Sequence, residues 1–143
     1  MSGEYVPSPR DWVAEQVKLY EESGGKEGTT LRGLPVILVT NRGRKTGAIR
    51  KTPLMRVKDG DNYVLVASVG GAPRHPLWYY NLLEDPDVTI RDREDVYEMR
   101  VRLVEDAEER SRLWSLAVEA FPNYAEYQER TERQIPVFIA EPR

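Results

Sequence analysis

Five cations crowd ten residues of this chain: Arg42, Arg44, Lys45, Arg50 and Lys51, within TNRGRKTGAIRKTPL. Gly43 and Gly47 bracket the turn and leave backbone N–H groups approachable, so the segment offers both donors and charge to a phosphate or carboxylate. Residues 28–58 hold eight Lys/Arg and no Asp/Glu, whereas residues 84–110 hold eleven acids against five bases. The formal net charge of −3 and the pI near 5.3 therefore hide a locally positive field. The competing reading is an edge hairpin protected by charge, but the lack of any compensating acid favours an anion site. Nucleic acid is not the expected anion: single-strand binders interleave cations with aromatics, and residues 28–58 contain no Phe, Tyr or Trp.

A second candidate is ASVGGAPRHPLWYYNL. Gly70 and Gly71 permit close backbone approach to a ligand. Pro76 opens a short helix, and Trp78, Tyr79 and Tyr80 offer a surface for a flat ring. Trp78 and Leu82, spaced i, i+4, read equally as core, so the loop before the helix is the expected contact. Nothing near His75 in sequence orients it as a base, and it reads as structural or exposed. A third candidate is FPNYAEYQ, where Tyr124 and Tyr127 are spaced i, i+3 and suit an aromatic, oxygenated substrate or simple helix packing.

Much chemistry is excluded. Without cysteine there is no disulfide, thiolate metal site or thiol nucleophile, and one histidine argues against a histidine metal centre or triad. No Walker loop, GxGxxG, GxSxG or HExxH is present. An enzyme of this kind would need a cofactor that carries the chemistry. No apolar run approaches the ~20 residues that span a bilayer, and MSGEYVPSPRDW lacks a signal-peptide core. A cytoplasmic protein is the expectation, with peripheral membrane contact left open.

The elements that must position these residues are legible in outline. The 143 residues, 40% hydrophobic, suit a single domain with one sizeable core. SPRDWVAEQVKLYEESGG reads as a helix capped by Ser8 and ended by Gly24, with Trp12, Val13, Gln16, Val17 and Tyr20 on one face, packed on the core or on a partner, so that residues 1–24 form helix and linker. Residues 34–40 read as a buried strand and residues 48–60 as its return, with Pro53 marking an edge or bulge. A KDGD hairpin leads to a strand at 62–68. A short helix at 77–86 precedes a hairpin of VTIRD and VYEMRVRLVE, the second strand alternating over 96–101. A helix follows, capped by Asp106 with Glu109 completing a capping box, and QIPVFIAEP closes as a strand. Hairpin-joined strands with peripheral helices imply an α+β, mainly β, antiparallel sheet or barrel.

Taken together, LPVILVTNRGRKTGAIRKTPL, VASVGGAPRHPLWYYNLLEDPDV and FPNYAEYQ…IPV resemble the deazaflavin-dependent nitroreductase and F420H2-dependent quinone reductase family, over roughly residues 34–142. The combination of GRKTG, SxGG, PxWYxNL and a tyrosine-rich C-terminal segment carries the resemblance. It implies an antiparallel split β-barrel and coenzyme F420, an 8-hydroxy-5-deazaflavin with a phosphate and an oligoglutamate tail. Arg44, Lys45, Thr46 and Arg50 match residues that hold the phosphate and tail. Lys51, Thr52, Pro53, Val66, Ala67, Ser68, Val69, Leu77, Trp78, Tyr79, Tyr80 and Asn81 match residues along the deazaflavin path. Tyr124 matches a tyrosine that closes over the ring, and Tyr127 one near the substrate. Val69 stands where relatives often carry Lys, with Arg74 as a substitute cation, and Met55 where a relative carries an aromatic residue beside the substrate.

The activity implied is hydride transfer from the reduced coenzyme to a small-molecule two-electron acceptor: a quinone, an activated enone or a nitroaromatic. Ser68 and Tyr124 are the candidate catalytic polar groups, and no metal is expected. The alternatives are an FMN-dependent split-barrel oxidoreductase and a non-catalytic deazaflavin carrier. A monomer and a homodimer are both compatible with the sequence.

Overall fold

The computed structural model describes residues 3–143. A short arm, residues 4–7, leads into α1 (Asp11–Glu22). Then come β1 (Thr30–Leu31), β2 (Leu34–Arg42), β3 (Ile49–Met55), β4 (Lys58–Asp59) and β5 (Asn62–Val66). One 3-10 turn (Val69–Gly71) precedes α2 (Leu77–Glu84), and β6 (Asp87–Asp92) and β7 (Asp95–Leu103) follow. The chain ends with α3 (Ala107–Ala120), α4 (Asn123–Glu129) and β8 (Val137–Pro142). Among the described residues no helix is long and apolar enough to cross a membrane.

The sheet runs β1-β2-β6-β7-β8-β5-β4, and β3 pairs with β2. The ladders between its named strands are antiparallel; β2 meets β3 from Val36↔Met55 to Arg42↔Ile49 and β6 from Leu38↔Arg91 to Thr40↔Thr89. The last strand, β8, is inserted between β5 and β7. The sheet curls until it meets itself: Val64 N–H donates to Val57 C=O at 2.9 Å, just beyond the end of β3.

Alternation sorts the apolar side chains onto two faces. Ile37, Leu65, Ile90, Met99 and Phe138 fill the inside of the curl, closed by Leu82, Trp78 and Tyr79 of α2. Val36, Leu38, Val64, Val66 and Ile139 face the other way, beneath Val17 and Tyr20 of α1, Leu113 and Ala117 of α3, and Tyr124 of α4.

Three expectations need correction. Helix α1 starts at Asp11 with no side-chain cap; Ser8 Oγ instead accepts from Arg10 N at 3.2 Å, because Pro7 and Pro9 keep this stretch extended. Trp12 does not share the face of Val17 and Tyr20 and is 50% exposed. At ~100° per residue it lies well off the stripe centred on Val17 and Tyr20. In α3, Asp106 does cap, accepting from Glu109 N at 2.9 Å, but Glu109 does not complete a capping box: its carboxylate is held by Arg102 at 2.8 Å.

Candidate functional site

The cationic turn is braced from within. Gly43 N–H donates to Ala48 C=O at 2.7 Å, Gly47 N–H to Gly43 C=O at 2.9 Å, and Ala48 N–H to Thr46 Oγ1 at 3.1 Å. Gly47 has φ 72, the left-handed backbone that a glycine adopts without penalty. The turn docks on α2: Arg44 N–H donates to Asn81 Oδ1 at 3.0 Å, and the Arg44 guanidinium lies 5.3 Å from the Tyr80 ring centroid. Two motifs far apart in sequence are thus joined. Lys45 is exposed and has no partner among the described residues. Beneath them Asn41, opposite Arg50 in the ladder, is 1% exposed with neither amide atom partnered. A buried, unsatisfied amide is costly and calls for a partner.

Arg50 and Lys51 are engaged by the N-terminal segment. Arg50 Nη1 donates to Val6 C=O at 3.2 Å and Pro7 C=O at 3.4 Å. Lys51 Nζ donates to both Glu21 carboxylate oxygens, at 2.8 and 2.7 Å, and sits 4.6 Å from the Tyr5 ring centroid. The arm itself adds to β3: Ile49 N–H donates to Glu4 C=O at 2.8 Å and Ile49 C=O accepts from Val6 N–H at 3.0 Å. Further along, Arg56 N–H turns the other way, to Pro35 C=O at 3.0 Å. Since backbone polar groups alternate along an antiparallel strand, Lys51, Pro53 and Met55 present theirs on the outer edge, where no strand among the described residues pairs them. Pro53, expected at an edge, occupies one of these outward positions, where its missing N–H breaks no ladder bond. Residues 50–54, Thr52 included, are all half-exposed.

The loop 68–75 has an unusual backbone. Val69, Gly70 and Gly71 have φ 46, 61 and 83; for a β-branched residue such as Val69 this is a strained conformation. A Cβ on Gly71 would lie 2.6 Å from Tyr127 C=O, so its close approach is to α4, while Gly70 has open space around it. The loop is held by a residue that sequence reasoning missed. Arg133 Nε donates to Ala72 C=O (2.8 Å), Nη2 to Ser68 C=O (2.7 Å), and Nη1 to Ala67 C=O (3.2 Å) and His75 Nδ1 (3.0 Å). A lone arginine ahead of the last strand carries no local signal of such partners. His75 is structural, stacked on Tyr79 at 4.2 Å, and burial, aided by the Arg133 charge, holds its pKa below the usual imidazole value.

Trp78 and Tyr79 pack on Phe138, at 6.0 and 5.7 Å, whereas Leu77 is 78% exposed. Val66 and Ala67 bury their side chains, and the Ala67 backbone is taken as well, its N–H donating to Pro136 C=O at 3.0 Å and its C=O accepting from Arg133. Tyr124 packs against Phe121, Tyr127 and Trp114 at 5.0, 6.2 and 6.3 Å, and burial raises its phenol well above the ordinary value. Met55 belongs to the same apolar cluster, with Tyr127 packed against it. The hydroxyls of Ser68 and Tyr124 make no hydrogen bond among the described residues. Arg74, within the loop, is exposed. No group of three His, Cys, Asp or Glu able to hold a metal occurs among the described residues.

Comparison with known proteins gives these positions a context. The F420H(2)-dependent quinone reductase family model matches residues 12–142. A curated F420H(2)-dependent quinone reductase of Mycobacterium tuberculosis is 38% identical over 124 residues, 85% of this chain and 83% of that protein. A solved structure described as a domain-swapped dimer is 47% identical, covering 94% of this chain and 100% of its own, with TM-score 0.74. Another, described as an F420-H2 dependent reductase, is 49% identical over 75% of this chain and 94% of its own, with TM-score 0.71. At 13% identity and TM-score 0.53, covering 89% of this chain and 84% of its own, a Clostridium acetobutylicum protein of the pyridoxinephosphate oxidase family shares the split-barrel fold alone.

Proposed function

The chain belongs to the F420H(2)-dependent quinone reductase family, oxidoreductases that use coenzyme F420, and from that premise we propose that it reduces a quinone, an activated enone or a nitroaromatic. The observation that carries this reading is the join between the cationic turn and α2. It sets Arg44, Lys45 and Asn81 side by side, at one end of an unpaired strand edge. The residues fit the coenzyme's chemistry: Arg44 and Lys45, with no acid paired to them among the described residues, for phosphate and carboxylates, outward backbone groups at Lys51, Pro53 and Met55 for a polar ring edge, and an orphaned Asn41 amide nearby. When bound, the reduced coenzyme supplies a hydride, a two-electron donation suited to these acceptors.

The chain's own part is binding, orientation and proton supply. Arg44, Lys45, Thr46 and Arg50 hold the anionic end. Lys51, Thr52, Pro53 and the backbone of Val66, Ala67, Ser68 and Val69 flank the ring, with Leu77, Trp78, Tyr79 and Tyr80 at its border. Ser68 and Tyr124 face the charge that develops on the acceptor, and polar groups fixed in advance lower that barrier without reorganising. Tyr124 carries its proton at neutral pH as any phenol does, and burial, which raises its pKa, holds that proton until charge develops on the acceptor. Met55 and Tyr127 border the acceptor.

The deciding experiment titrates the protein with oxidised coenzyme F420, with FMN in parallel at the same salt. Saturable binding at micromolar concentration or tighter, about −8 kcal/mol, with FMN weak, supports the assignment; FMN preferred, or neither bound, refutes it. Lys45→Ala should weaken coenzyme binding about five-fold at low salt, about 1 kcal/mol for one exposed cation. Unchanged affinity would remove Lys45 from the site. Tyr124→Phe should lower turnover about 100-fold with little change in coenzyme affinity, within the range of general-acid effects; full turnover would assign the proton to water. The assembly we propose is a homodimer. Helix α1 leaves Trp12 and Leu19 exposed, and a 47%-identical relative is a domain-swapped dimer.

A further inference from the structure

We infer that Arg133 is a positioning residue: it orients the peptides at Ser68 and Val69 and fixes the tautomer of His75, and so prepares the loop 68–75 to receive the coenzyme. The inference rests on the assignment of that loop to the coenzyme. The guanidinium is half-buried, and its only partners among the described residues are three backbone carbonyls and one imidazole nitrogen. None of its bonds goes to a carboxylate, so its charge is compensated by peptide dipoles alone. A guanidinium cannot give up its proton under these conditions, and the cation persists behind the loop.

The geometry has a consequence on the loop's other side. In a trans peptide the C=O and the following N–H point in opposite directions. Arg133 draws the carbonyls of Ala67 and Ser68 towards itself at 3.2 and 2.7 Å, and this aims the N–H groups of Ser68 and Val69 away from it. Neither of those N–H groups has a partner among the described residues. The same cation polarises both peptides, strengthening the two outward donors. Such a pair suits an anionic or strongly polar oxygen. The strained φ of Val69 is held by these bonds together with Gly71 against Tyr127 C=O, so the loop is packed directly on α4. On the inner side, Nη1 donates to His75 Nδ1 at 3.0 Å. His75 is therefore neutral with its proton on Nε2, stacked on Tyr79.

Arg133→Lys tests this, because a lysine keeps the charge and loses the planar fork that spans three carbonyls. The chain has a single histidine, so its 15N resonances report the tautomer without ambiguity. The wild type should show His75 with the proton on Nε2, and Arg133→Lys a mixture of tautomers with shifted Ser68, Val69 and Gly70 amides. Coenzyme affinity in the folded variant should fall at least ten-fold. In Arg133→Ala, guanidinium chloride at tens of millimolar should restore part of that affinity, with sodium chloride at equal ionic strength as control. A wild-type proton on Nδ1, or a folded Arg133→Lys protein that binds within two-fold of wild type, overturns the inference. If the wild type binds no coenzyme, the functional reading fails, and the role of Arg133 in preparing the loop for it fails too. The tautomer and amide shifts then report separately whether Arg133 orders the loop.

Discussion

Gly25→Ala is expected to destabilise the protein by roughly 2–5 kcal/mol, whereas Gly24→Ala, one residue earlier, should cost only about 1–2 kcal/mol. Both glycines have left-handed backbones, with φ 84 and 69, so both pay the steric cost of a Cβ there. They differ in what the Cβ meets. At Gly24 there is nothing within 4 Å; at Gly25 it would lie 1.8 Å from Arg93 C=O and 2.2 Å from the Arg93 carbonyl carbon. These are backbone atoms of the β6–β7 turn and cannot swing aside. The same turn anchors α1 through Tyr20, whose hydroxyl accepts from Arg93 N–H at 2.6 Å and donates to Val36 C=O at 3.1 Å. Pushing the turn away from Gly25 therefore strains Tyr20, and with it the helix whose Glu21 holds Lys51. Chemical denaturation of the two variants side by side isolates the clash. Equal losses would show that the turn yields freely.

Asp92→Ala should cost about 3 kcal/mol, while Asp92→Asn, which retains an acceptor, should cost about 1 kcal/mol. Asp92 is 8% exposed, and its Oδ2 accepts from Tyr63 OH at 2.6 Å and Arg56 Nε at 2.8 Å. Removing the carboxylate strands the hydroxyl of Tyr63, which is 1% exposed, and an unsatisfied buried donor costs about 1–3 kcal/mol. The Arg56 share is smaller than for a fully buried pair, since its side chain is 36% exposed and water replaces part of the loss. If this partition holds, Tyr63→Phe in the Asp92→Ala background should recover stability, because it removes the stranded donor. Strict additivity in urea unfolding of the double-mutant cycle would argue that the two groups are uncoupled. The Asp92 carboxylate and Tyr63 phenol lie at the end of the curl away from the cationic turn, so coenzyme affinity per folded molecule should not change.

What could be read from the sequence depended on range. Strands β6 and β7 were legible because alternation in Val88, Ile90, Met99 and Val101 is local, and the Asp106 cap because its partner is three residues away. The cationic turn was legible because charges crowded in sequence stay crowded in space. Its docking on Asn81 was not, since nothing in a lone asparagine announces a backbone N–H 37 residues away as its donor. Arg50 and Lys51 show the limit most clearly. Their types pointed to an anion, yet their partners here are the Val6 and Pro7 carbonyls, on an arm too short to carry any periodicity, and the Glu21 carboxylate of α1, 30 residues earlier in the chain. Gly71 was read as room for a ligand, and the backbone that fills that room is Tyr127. The family resemblance supplied the coenzyme; composition and spacing supplied only the anion.

The place of β8 has a bearing on how the chain is made. It is the last strand in sequence, yet it sits inside the sheet, laddered to β5 on one side and β7 on the other. A ribosome therefore releases β5 and β7 with bare inner edges and must continue through two further helices before their partner exists. During that interval each edge can accept a strand from a neighbouring nascent chain. Closure of the sheet is a late, long-range event, and folding should be slow for a chain of this size. Loss of residues 137–142 would remove the shared wall between two halves of the sheet, so a prematurely terminated product is a substrate for proteolysis and not a slightly shorter enzyme.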